Sequence, residues 1–107
     1  MSLLAVLASL RTMNVPVYEQ VAPKDHEKPC IVVQLLGIEP LDTRNPDLEE
    51  PVLSVQISVY GEELGPSVEL GFRVRKLMDR EFSARLVDSR TRKPNSSTIS
   101  LQQDFQV

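Results

Sequence analysis

Leu53-Ser54-Val55-Gln56-Ile57-Ser58-Val59-Tyr60 is the stretch that decides the fold of this chain. Leu53, Val55, Ile57 and Val59 fall on one side of an extended backbone, and Ser54, Gln56, Ser58 and Tyr60 on the other. That strict period of two is the signature of a strand with one face on a core and the other turned away from it. On its N-terminal side, Cys30 to Leu36 is a continuous, largely β-branched apolar run stopped by Gly37, which reads as a central strand. Between the two, residues 38–51 are polar and proline-interrupted, forming either a long loop or the tip of an extended hairpin.

Further upstream, Val15, Val17 and Val21 suggest a short edge strand broken by Pro23, followed by a charged turn at residues 24–28. Leu3, Val6, Leu7, Leu10 and Met13 make a single helical stripe over residues 2–13, ending at Asn14. This N-terminus has the apolar look of a signal peptide but lacks a positive leader, and its apolar run stops at Arg11, too short to span a bilayer. Downstream of the decisive strand, Gly65-Pro66 punctuates the chain and Ser67 is placed to cap a second helix running to about Glu81. Its inward stripe is Leu70, Val74, Leu77 and Met78, and Gly71 lets it approach the sheet. A strand at residues 85–89, a basic turn at residues 90–95 and a final alternating strand complete the chain. In the last of these, Gln103 is a polar exception among the inward residues Ile99, Leu101, Phe105 and Val107. The expected fold is one α+β domain of order α-β-β-β-α-β-β, a mostly antiparallel sheet packed against two helices.

The chain has 107 residues, 41% hydrophobic and 25% charged, which is enough for one small core and speaks against disorder. Trp is absent and aromatics are sparse, so the core is aliphatic. The single cysteine, Cys30, sits among apolar strand residues and reads as an inert core thiol, since free cysteines are usually buried. His26 lies in a charged turn without partners at metal-ligand spacing. The pairs Glu49-Glu50 and Glu62-Glu63 lack the apolar surroundings that raise a carboxylate pKa. No phosphate-binding loop, dinucleotide fingerprint or nucleophile elbow is present, so no catalytic residue, metal or cofactor is expected and the chain reads as a non-enzyme.

Charge is segregated along the chain. Residues 1–71 carry four basic and eleven acidic side chains, whereas residues 72–93 carry eight basic and three acidic ones. A basic face on one subunit can meet an acidic face on the next, and complementary potentials of this kind set register. The interface candidates are Arg73, Lys76 and Arg80 on the second helix, Asp42, Arg44, Asp47, Glu49 and Glu50 in the 38–51 segment, and Arg90, Arg92 and Lys93 in the basic turn. The overall charge of −3 and the shortage of aromatics argue against sequence-specific nucleic-acid binding.

Pro29-Cys30-Ile31-Val32-Val33, then Val55-Gln56-Ile57-Ser58-Val59-Tyr60, a helix, and a terminal Asp104-Phe105-Gln106-Val107 resemble the bacteriophage tail terminator, or tail completion (head-tail joining), proteins over nearly the whole chain. The resemblance implies a structural subunit of a phage or prophage tail. It also implies a ring, commonly hexameric, that caps the tail tube and joins it to the head, and no catalytic residues. Its implied partners are its own copies, the tail tube protein and head-neck proteins. Its implied location is the virion, with the bacterial cytoplasm during assembly. By that analogy the subunit contacts come from the second helix and the loops flanking the strands; the acidic character of residues 42–50 argues against a DNA-facing role for that loop. The competing expectation from the residues alone is a small non-enzymatic binding module that recognises a peptide or metabolite, with the edge at residues 15–21 open to strand addition.

Overall fold

The alternating stretch forms the middle of a five-stranded sheet. The computed structural model describes residues 3–21, 29–39, 52–95 and 97–107. In chain order the elements are α1 (Leu3–Arg11), β1 (Val17–Glu19), β2 (Cys30–Glu39), β3 (Val52–Gly61), α2 (Leu64–Phe82), β4 (Arg85–Asn95) and β5 (Thr98–Gln106). The strand order is β1-β2-β3-β5-β4, antiparallel except for the parallel pair β1–β2. This is the expected α+β order, with β2 an interior strand between β1 and β3.

Both helices lie on one face of the sheet. Val6, Leu7 and Leu10 of α1 and Leu70, Val74, Leu77 and Met78 of α2 share one core with Ile31, Val33, Val55, Ile57, Val59 and Phe105. Each such side chain taken out of water contributes about 1.5–3 kcal/mol, so the aliphatic core, not local propensity, holds the short α1 in place. Gln103 is the polar exception for a reason: its Nε2 donates to the Gly71 carbonyl oxygen at 2.9 Å. The helix approaches closely there, since a Cβ on Gly71 would sit 3.4 Å from Leu101 Cδ1.

Several sequence expectations are corrected. Strand β2 does not stop at Gly37 but continues to Glu39, with a register irregularity between Leu35 and Gly37. The bulge absorbs Leu36 as an extra residue and lets pairing resume at Gly37↔Ser54. Because Glu39 pairs with Val52, β2 and β3 form an extended hairpin, and residues 40–51 lie outside the described residues. Ser67 does not cap α2. The helix starts at Leu64 after Glu63, and Ser67 is buried in its first turn. Pro66 is harmless in that turn, where the backbone N–H has no intrahelical acceptor.

The basic turn at residues 90–95 is also a strand: β4 runs unbroken from Arg85 to Asn95, and the chain reverses between Asn95 and Thr98. Pro94 is tolerated because β4 is an edge strand with irregular register between Arg92 and Asn95. Strand β1 is the other edge, shorter than expected. It ends at Glu19 because Gln20 takes a positive φ of 66°, which leaves Val21 exposed beyond it.

Candidate interaction surface

Two helices cannot cover five strands. Helix α2 packs over β3 and β5, so Leu86, Ser89 and Thr91 of β4 lie at the margin of the helical layer. The result is a groove between α2 and β4. One part, about 540 Å³, is lined by Phe72, Arg75, Lys76, Ala84, Leu86 and Phe105, together with Asp79. A second part, about 200 Å³, continues past Phe72 and Arg75 to Val68, Ser89 and Thr91. Phe72 is 57% exposed at the boundary between the two. The floor is apolar, and the helical rim carries two cations to one carboxylate.

Of the residues expected from sequence, Arg73, Lys76 and Arg80 are exposed on α2 as anticipated, and Lys76 reaches the groove. Arg80 is paired with the adjacent Glu81 through a 3.3 Å contact. The β4 cations do not join this stripe. Arg90 stands opposite Gln102, which stands beside Ser58 through β5 and β3, and this row lies on the sheet face turned away from the helices. There Arg90 donates to Asp88, to Gln102 Oε1 at 3.1 Å and to Asp104 Oδ2 at 3.3 Å. Gln56 Nε2 donates to the other Asp104 oxygen at 3.1 Å, which ties β3, β5 and β4 together by side chains on that face. Arg90 is thus engaged within the sheet. Arg92 lies in the next row on the same face, beside the buried Ser100, whose Oγ has no hydrogen-bond partner. Lys93 is exposed in the irregular stretch of β4. Asp42, Arg44, Asp47, Glu49, Glu50 and His26 lie outside the described residues.

Sequence reasoning missed Phe72, Arg75 and Leu86. A signal was there: Val68 and Phe72 are four apart and flank the core stripe, giving α2 a wider apolar arc than its own core contacts use. Cys30 is buried, as expected. Among the described residues no group of metal-ligating side chains is found, and no helix is long and apolar enough to cross a membrane. No protein-family model matches the chain, and a search of curated proteins returns no relative.

Proposed function

We infer that this chain is a non-enzymatic assembly subunit, a ring-forming component of a phage or prophage tail that terminates the tube and joins it to the head. The observation that carries this reading is the α2–β4 groove, an apolar floor with Arg75 and Lys76 beside Asp79 at its rim, on a chain whose acidic residues are concentrated in residues 1–71. Surfaces with apolar centres and charged margins are what subunit contacts are made of. The element order on which the sequence resemblance rests is also the order of the folded chain. The partners on this reading are further copies of the chain, the tail tube protein and head-neck proteins.

Light scattering over a range of concentrations, at low and high salt, tests the reading. The expected result is a species of about six subunits, ~72 kDa from a 12.0 kDa chain. It is expected to weaken as salt shortens the screening length from about 10 Å at 0.1 M to about 3 Å at 1 M. A monomer under all conditions counts against self-assembly and in favour of the peptide- or metabolite-binding module. Replacing Arg73, Lys76 and Arg80 together by Glu is expected to lower the association constant at least tenfold, on the order of 1.4 kcal/mol or more. All three side chains are exposed, so the melting temperature should change little. An unchanged mass would remove the outer stripe of α2 from the interface.

A further inference from the structure

The groove has a counterpart on the opposite margin of the same sheet. Strand β1 pairs only with Ile31 to Val33. Among the described residues no strand pairs with the outer edge of β2 beyond Val33. That free segment carries Leu36, 54% exposed at the bulge, and Ile38, 59% exposed. Ile38 stands opposite Leu53, a core residue, so it lies on the helical side of the sheet, as the groove does. One cross-strand row, Leu35, Val55, Phe105 and Leu86, links the two places. With strands about 4.8 Å apart, the row's ends on β2 and β4 are separated by roughly 14 Å. The apolar arm and the apolar groove of one molecule therefore sit at opposite margins and do not meet.

We propose that the free half of β2, through Leu36 and Ile38, docks into the Phe72–Leu86 groove of a second copy of this chain. The choice of occupant follows from charge. The helical rim of the groove carries two cations, Arg75 and Lys76, to one carboxylate, Asp79. Residues 38–51, which continue the arm in sequence, contain five carboxylates (Glu39, Asp42, Asp47, Glu49, Glu50) and one cation, Arg44. The carboxylate-rich sequence that continues the apolar arm and a groove with an excess of cations attract, whereas two grooves or two such segments repel. The contact is therefore heterologous, head to tail, the type that propagates or closes into rings. The inference rests on the assembly reading above and names the surfaces that reading requires.

Complementation tests it. Phe72→Asp spoils the groove and leaves the arm intact; Ile38→Asp spoils the arm and leaves the groove intact. Both side chains are more than half exposed, so both variants are expected to fold, as circular dichroism and melting temperature will show. If either aspartate lowers the melting temperature, Phe72→Ser and Ile38→Ser take its place. The expected result is that each variant alone runs as a 12.0 kDa monomer where the parent chain is oligomeric. Mixed in equal amounts, they should form a 1:1 dimer, joined by the one intact arm and the one intact groove. If both variants keep the parent's mass, the docking is overturned and the assembly reading stands on another surface. If both are monomeric and fail to pair when mixed, the head-to-tail arrangement is overturned. A parent chain that is monomeric at every concentration overturns both.

Discussion

Phe105→Ala is expected to destabilise the fold by about 3–5 kcal/mol, the usual range for removing a buried aromatic side chain. Among the described residues Phe105 is the largest fully buried side chain, and it stands between Val55 on β3 and Leu86 on β4. Its ring fills the core beneath α2 and also forms part of the groove floor. Domains of this size have a net stability of only about 5–15 kcal/mol, so a single truncation there removes a large fraction. At roughly 4–8 °C per kcal/mol, the melting temperature should fall by about 12 °C or more. Urea unfolding of the two chains measures the difference directly. A loss below about 1 kcal/mol would mean that the core closes around the missing ring, in conflict with close packing at this position.

Gly61→Ala should destabilise by about 1–3 kcal/mol, because the added methyl has no room. Gly61 ends β3 just before α2 begins, and a Cβ there would lie 2.0 Å from Ser67 Oγ and 3.3 Å from Ser67 Cβ. The two elements are joined by only two residues, so neither can withdraw without disturbing the other. The effect belongs to the pair, which a double-mutant cycle exposes. Ser67→Ala removes the clashing oxygen, and in that background Gly61→Ala should cost less by about 1 kcal/mol or more. Additive losses would place the strain in the backbone of residue 61 and not in its contact with Ser67. The same close contact explains why a serine at this position is buried in the first helical turn when its chemistry suits a cap.

The order and kind of elements were legible because they rest on local periodicity. Leu53 to Tyr60 alternates whatever its surroundings, and Leu70, Val74, Leu77 and Met78 recur on one side of a helix before any packing partner is known. Even the exception at Gln103 was visible, although its reason, the Gly71 carbonyl, was not. Periodicity is silent about how far a strand continues once a partner is available. Gly37 read as a stop and residues 90–95 as a turn, yet a bulge on β2 and an edge position for β4 let the ladders run past them.

The interaction surface divides in the same way. The sequence by itself determined that cations concentrate in residues 72–93 and that Arg73, Lys76 and Arg80 point away from the core. Only the tertiary structure decided which of these charges are available. Pairing of β4 with β5 places Arg90 beside Asp104 on the far face of the sheet and engages it there. The groove itself depends on the strand order, which puts β4 outside β5 and at the margin of the helical layer. Strand order is set by contacts between residues far apart in the chain, and no local pattern encodes which edge will lie at the margin of two helices.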